Sequence, residues 1–349
     1  MDSKLKALNP SSIVTRSLLK GKRSQLISSL IISIAYLGNG IFNVIMGSSK
    51  NGKDFGKKYR FISGLYNIFL SATISYQTWN RHTYVKFIEE NQKILSTNFS
   101  KSRQILEEIR YYPRIIIYIM MCSSSIIALG LFPYYTYNIL YEESPIYYIM
   151  ILIFTAMNAL SWVLTKQMII ESCLFLRGSF VLISYLISDV KQDSKAERRI
   201  KLIRHVYEMA AQTTHKLDVF FSVTIFGGYL YILINSFSFF VELAHRTEMF
   251  IVYSAQFIDI IISTAHVTYH LVSINHFAKK CYDQVYELSF KITSPEAHNE
   301  INLFLERAGR ANIGLSFVKI YLITPSFVTM MGSILLSMAL AAPGLVAEG

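Results

Sequence analysis

Seven stretches of about 20 largely apolar residues punctuate the chain, at 25–46, 60–79, 115–138, 146–165, 219–242, 249–274 and 320–342. A helix of that length crosses a hydrocarbon core about 30 Å thick. Such runs leave little choice of fold. A bilayer admits only closed barrels and helices that satisfy their own backbone groups. The composition agrees: 52% of the 349 residues are hydrophobic and 16% are charged, with a mean hydropathy of +0.35. A soluble globule carries about 25% charged residues. An ordinary cytosolic enzyme and a disordered chain are both excluded. The expected fold class is all-α, a polytopic membrane protein with seven transmembrane helices. The first 24 residues are polar and the first apolar run is of full span length. That run reads as a membrane helix, not as a cleavable leader.

A net charge of +11 points first to nucleic acid. The distribution points elsewhere, because the cations lie between the apolar runs. Six Lys/Arg precede the first span, seven lie in 80–114, nine in 166–218 and six in 275–319. These segments fall on one side. The other side holds Lys50, Lys53, Lys57, Lys58 and Arg246. The positive-inside rule therefore puts the N-terminus in the cytoplasm and the C-terminus outside. No nucleic-acid partner is expected. This orientation is the reverse of a G-protein-coupled receptor, and the Asp-Arg-Tyr and Asn-Pro-x-x-Tyr motifs of that class are missing. Cys122, Cys173 and Cys281 are far apart and suggest no disulfide framework.

The inner segments are long, and their apolar periodicity continues. Residues 196–218 read as an amphipathic helix running into the fifth span. Residues 166–190 and 277–291 extend the fourth and sixth spans inward. Ser294-Pro295-Glu296 reads as a helix start, with a helix over 296–310. These helices either pack as a bundle below the membrane or lie separately on the inner leaflet.

Several patterns imitate chemistry. Gly47-Ser48-Ser49-Lys50-Asn51-Gly52-Lys53-Asp54 nearly spells a phosphate-binding loop, but it lacks the final Ser or Thr and a preceding strand. His266 and His270 have zinc spacing without a catalytic Glu or a third ligand. With no nucleophile elbow and no paired carboxylates, neither an enzyme, a cofactor nor a metal is expected. Asp259 is different, because a charge inside the sixth span costs about 2.5–3.5 kcal/mol on insertion scales. It marks either a ligand or water cavity, or a structural pair with a neighbouring helix, for example through His266 or a tyrosine.

In the last span, Ser326, Thr329, Ser333 and Ser337 form one hydroxyl stripe, continued by Leu340 with Leu336 beside it. Such a stripe suits the lining of a water-filled conduit closed by an apolar ring. It equally suits close helix packing by small residues aided by Gly332. A pore needs symmetric copies, hence an oligomeric ring.

Before the fifth span stands Leu202-Ile203-Arg204-His205-Val206-Tyr207-Glu208, leading to Phe220-Phe221. Later come Glu300-Ile301-Asn302-Leu303-Phe304 and Ala311-Asn312-Ile313-Gly314-Leu315-Ser316-Phe317. With these stretches and this topology the chain resembles the insect chemoreceptor superfamily, most of all its gustatory receptor branch. The family's last-helix signature is Thr-Tyr, five apolar residues, then Gln-Phe. Here the matching positions are Gly332-Ser333, Ile334 to Met338, and Ala339-Leu340.

The resemblance implies a ligand-gated, non-selective cation channel with a taste-type sensory role. It implies a homotetramer, or assembly with a related receptor subunit, around a central pore. The last helix would line that pore through Ser326, Thr329, Ser333, Leu336, Ser337 and Leu340, with the gate at Ala339 and Leu340. A small organic ligand would bind in an outward-facing pocket of each subunit. Candidate contacts are Tyr66, Tyr134, Tyr135, Tyr231, Asn235, Tyr253, Gln256 and Asp259. On this reading 1–165 holds the tail and four spans of the ligand bundle. Residues 166–218 and 275–319 form the cytoplasmic anchor, 219–274 the fifth and sixth spans, and 320–342 the pore helix. The other partner is membrane lipid, and the setting is the plasma membrane of a sensory-neuron dendrite. The alternatives are an odorant-type subunit needing a co-receptor, or a non-channel seven-helix receptor or transporter.

Overall fold

The computed structural model describes residues 23–48, 54–127, 145–190, 195–245, 250–310 and 313–347. Nine helices lie among these residues: α1 Arg23–Ser48, α2 Asp54–Trp79, α3 Arg81–Ser96, α4 Phe99–Ile126, α5 Pro145–Ser188, α6 Ala196–His245, α7 Phe250–Ser289, α8 Pro295–Arg310 and α9 Pro325–Ala347. Among the described residues, three stretches are long and apolar enough to cross a membrane: Trp162–Ser188, Ala196–Phe237 and Ser254–Ser289. Ser29–Ile45 and Pro325–Ala341 are shorter apolar helices. Leu30, Ile31 and Ile34 of α1 and Ile115, Tyr118 and Ile119 of α4 face outward. Water would penalise so apolar an exterior and hydrocarbon would not. The protein is membrane-embedded.

Helices α5, α6 and α7 are 44, 50 and 40 residues long. At 1.5 Å per residue each is about twice as long as the hydrocarbon core is deep. Their continuity follows from apolar positions that keep helical spacing past the end of each span. In α6, Ile200, Ile203, Val206, Tyr207 and Ala210 are all buried. They meet Phe180 of α5, Cys281 of α7 and Phe304 of α8 in one hydrophobic core.

Helix α8 joins this core through Ala297, Ile301, Phe304 and Ala308, spaced four, three and four apart. Ser294 starts it by accepting the Ala297 amide at 3.4 Å, with Pro295 in the first helical position. The Ser294 hydroxyl also donates to Glu296 at 2.7 Å. This bond, and then the backbone amide of Glu296, hold its carboxyl below the usual 4.5. Across the bundle Arg204 pairs with Glu300 at 2.9 Å, and Lys216 pairs with Glu90.

Between the second and third apolar runs, in the cation-bearing segment 80–114, lies α3. Tyr84, Phe87, Ile88, Asn91 and Leu95 supply its buried face. Asn98 caps α4 by accepting the Lys101 amide at 3.3 Å.

Helices α1 and α2 form a hairpin pressed together at two glycines. A Cβ on Gly64 would stand 2.7 Å from both the Gly40 oxygen and the Val44 nitrogen. Nearer the other end Ser33 bonds to the Ser71 and Ser75 hydroxyls at 2.9 and 2.8 Å. The hairpin docks on α6, where the Tyr76 hydroxyl donates to the Val219 carbonyl at 2.9 Å.

One expectation is corrected at the last span. The chain is nearly all-helical, and a short hairpin precedes its last helix, where β1 Ser316–Phe317 pairs antiparallel with β2 Tyr321–Leu322. The helix accordingly starts at Pro325, not at 320. The turn places Val318 and Lys319 at φ 52° and 60°, the left-handed region that a β-branched side chain resists. Asp218 of α6 holds the hairpin. Its carboxylate accepts the Ser316 amide at 2.6 Å and the Ser316 hydroxyl at 2.8 Å.

Candidate functional site

Helix α9 has two unlike faces. Phe327, 4% exposed, and Met331 are buried in the core, and Leu335 packs against it. Phe327 meets the rings of Tyr229 and Phe317 at 5.1 and 5.4 Å between centroids. About 160° around the helix, Ser326, Thr329, Ser333, Leu336, Ser337 and Leu340 are exposed in the single chain. Leu340 is 75% exposed, and Ala339 is half-buried. The hydroxyls of Thr329, Ser333 and Ser337 donate to the carbonyls of Pro325, Thr329 and Ser333 at 3.2, 3.0 and 2.9 Å. A Cβ on Gly332 would meet nothing within 4 Å, so this glycine makes no close helix approach within the described chain.

Tyr66 and Tyr231, both candidate ligand contacts, line one cavity of about 50 Å³ together with Tyr36, Gln77 and Trp162. A buried water needs roughly 10–15 Å³, so a few waters would fit. The Tyr231 ring stands 5.1 Å from Tyr66 and 5.1 Å from Trp162. The Tyr36 hydroxyl is drawn away to the Met157 carbonyl at 3.0 Å. Two glycines of α6 let these aromatic walls come close. A Cβ on Gly228 would stand 2.9 Å from Trp162, and one on Gly227 would stand 2.5 Å from Phe69. A second cavity, of about 30 Å³, lies between α5, α6 and α7 and shares Trp162, Thr224 and Gly228 with the first.

Asn235 and Gln256 contact one another, amide to carbonyl oxygen, at 3.4 Å. They do not line either cavity. Asp259 has neither His266 nor a tyrosine as its hydrogen-bond partner. It accepts the hydroxyls of Ser123 and Ser124 of α4 at 2.6 and 2.8 Å. This is the satisfaction that an intramembrane carboxylate requires. Tyr134 and Tyr135 lie outside the described residues, as does the Tyr253 side chain.

Sequence reasoning did not single out Trp162, Lys166, Thr224 or the Gly227-Gly228 pair. A visible signal existed for all of these but Thr224. A lysine ending an apolar run beside a tryptophan, and paired glycines inside an apolar helix, both mark unusual packing. Nothing local distinguishes Thr224.

No family model matches the chain, and no curated protein matches it. Among solved structures it is similar to the insect olfactory receptor OR5 from Machilis hrabei, with a TM-score of 0.64 and 9% identity over 91% of this chain and 88% of that one. The same receptor in complex with eugenol matches with a TM-score of 0.62 and 9% identity, over 93% and 89%. At that identity the likeness shows the fold alone.

Proposed function

We propose that this chain is a subunit of a ligand-gated, non-selective cation channel, a gustatory-type chemosensory receptor opened by a small organic molecule. On this reading seven helices span the membrane, the N-terminus is cytoplasmic and four copies surround a pore. The α9 stripe Ser326, Thr329, Ser333, Leu336, Ser337 and Leu340 lines that pore, and Ala339 and Leu340 close it. The long inner ends of α5 to α7, with α8, form the anchor. The ligand enters from outside among Tyr66, Tyr134, Tyr135, Tyr231, Asn235, Tyr253, Gln256 and Asp259. The carrying observation is the two-faced α9, rooted by Phe327 and Met331 with its hydroxyl stripe turned away. The fold shared with an insect olfactory receptor supports the same conclusion. That likeness also favours a second reading, an odorant-type subunit that opens only beside a co-receptor.

Whole-cell current in cells expressing the chain alone tests the proposal, with sugars, bitter compounds and volatiles applied in turn. The expected result is a ligand-evoked cation current that Ser337→Arg abolishes. Cysteines at Ser326, Thr329 and Ser333 should react with aqueous thiol reagents while the current flows. Current with no such reactivity would overturn the pore assignment. Silence alone, relieved by a co-expressed related receptor, would select the second reading.

A further inference from the structure

The cavity of about 50 Å³ between the α1–α2 hairpin and helices α5 and α6 lies deep in the membrane on the orientation proposed above. Gln77, Trp162 and Thr224 of its wall stand close to the inner ends of the runs 60–79, 146–165 and 219–242. Tyr36, Tyr66 and Tyr231 stand near the middles of theirs. The cavity therefore occupies the inner half of the bilayer. The hairpin stands between it and lipid. Leu30, Ile31 and Ile34 face outward, while Tyr36 and Tyr66 face the cavity. Two side-chain bonds fasten the hairpin to the opposite wall. The Tyr36 hydroxyl donates to the Met157 carbonyl at 3.0 Å, and the Gln77 amide to the Thr224 hydroxyl at 2.7 Å.

The chemistry of the wall selects the guest. Among the described residues the lining holds no ionised side chain, so a charged guest would lose its hydration and gain no counter-charge. Hydroxyls are plentiful. Those of Tyr36 and Thr73 donate to the carbonyls of Met157 and Phe69 and keep lone pairs to accept with. Tyr66 is 7% exposed. Its hydroxyl is acted on electrostatically by Tyr231 and Tyr36, and by no hydrogen bond among the described residues. A guest hydroxyl, which both donates and accepts, answers both kinds of group. Size follows from the volume. At roughly 10–15 Å³ for each water there is room for about three to five non-hydrogen atoms. We propose that this cavity is a second small-molecule site, for a short neutral alcohol taken up from the inner half of the bilayer. The alcohol's hydroxyl bonds to Tyr66, and its carbon chain lies against Leu70 and Trp162. This site goes beyond the outward-facing pocket proposed above, and its existence does not depend on conduction.

The chain has two tryptophans, Trp79 and Trp162, so Trp79→Phe leaves Trp162, in the cavity wall, as the sole indole reporter. The purified full chain in nanodiscs is titrated with straight-chain alcohols from ethanol to octanol while Trp162 fluorescence is read. Partition into the bilayer itself gains about fourfold per CH₂ along the whole series. Saturable binding at the cavity should gain likewise up to propanol or butanol and then stop. Leu70→Ala enlarges the cavity and should carry that stop about two or three carbons further. Tyr66→Phe should weaken butanol about two- to tenfold and leave 1-chlorobutane unchanged. Butyrate and butylammonium should bind about tenfold or more weakly than butanol. A response that never saturates, or that keeps rising to octanol in both proteins, would overturn the proposal, because it is the response of the bilayer. So would unchanged butanol affinity in Tyr66→Phe, or butyrate binding as tightly as butanol. Should Leu70→Ala not fold, Ile74→Val puts the same question with a stop about one carbon later. The readout needs no current, so each result holds whether or not the chain conducts.

Discussion

Replacing Asp218 by alanine should loosen the hairpin that leads into α9. Two hydrogen bonds converge on its carboxylate, from the Ser316 amide at 2.6 Å and the Ser316 hydroxyl at 2.8 Å. Hydrogen bonds to a charged group contribute about 1.5–3 kcal/mol each, so the pair comes to roughly 3–6 kcal/mol. The alanine variant also leaves a buried amide without an acceptor, which adds to the loss. Local opening should therefore become at least about 100-fold more frequent, at 1.4 kcal/mol per decade. Hydrogen exchange of the peptide 313–323, read by mass spectrometry in detergent, measures this directly. Asp218→Asn keeps an acceptor oxygen and loses the charge. Neutral bonds contribute about 0.5–1.5 kcal/mol each, so its exchange should fall between wild type and alanine. A peptide from the buried stretch of α5 serves as control and should not change. An unaltered 313–323 peptide in Asp218→Ala would refute the reasoning, as would equal effects of asparagine and alanine.

The same peptide should respond in the opposite sense to Val318→Asn. Asparagine accepts the left-handed backbone that costs an ordinary residue about 1–2 kcal/mol, so exchange should slow several-fold. Gly64→Val should force α1 and α2 apart, since its Cβ would stand 2.7 Å from backbone atoms of α1, at a cost of about 1–3 kcal/mol or more. Disulfide formation between cysteines at Ser33 and Ser71, whose hydroxyls are 2.9 Å apart, should then drop. At the start of α8 the depressed Glu296 carboxyl contributes stability that is full above its unfolded pKa and is lost as pH falls through its lower folded value. The first turn of α8 should therefore fray below about pH 4.5. In Ser294→Ala the carboxyl should titrate nearer its ordinary value, as NMR pH titration of the carboxyl carbon would show.

Much of the architecture was legible because hydrophobic periodicity does not stop at a membrane surface. Ile200, Ile203, Val206 and Tyr207 keep helical spacing among Arg198, Arg199, Lys201 and Arg204, so α6 could be read straight through from its charged end. Helix α3 was missed although Tyr84, Phe87, Ile88 and Leu95 have the same spacing. Its amphipathic run is short, 16 residues, and lies among cations that mark the segment as a loop. The terminal hairpin had no signal to give. Its turn uses Val318 and Lys319, where sequence rules look for glycine or asparagine. Within the site, Asp259 stood out as a misplaced charge, but its partners were beyond reach. Ser123 and Ser124 are 136 and 135 residues away, and no local pattern links such distant positions. Tyr66 and Tyr231 share a wall because aromatic side chains on facing helices fill the space between them.

The hydroxyls of α9 carry a consequence for charge. Thr329, Ser333 and Ser337 each spend their one proton on a carbonyl of their own helix, one turn back. What remains on the outer side of each oxygen is a lone pair. Arranged along successive turns, these make a ladder of partial negative charge on a helix with no ionised residue from Pro325 to Ala347. On the proposed pore reading, a sodium or potassium ion passing along that ladder would find a ligand at every turn, whereas chloride would find no proton to accept. Discrimination by the sign of charge would then need neither an acidic ring nor the glutamine that this chain lacks at position 339.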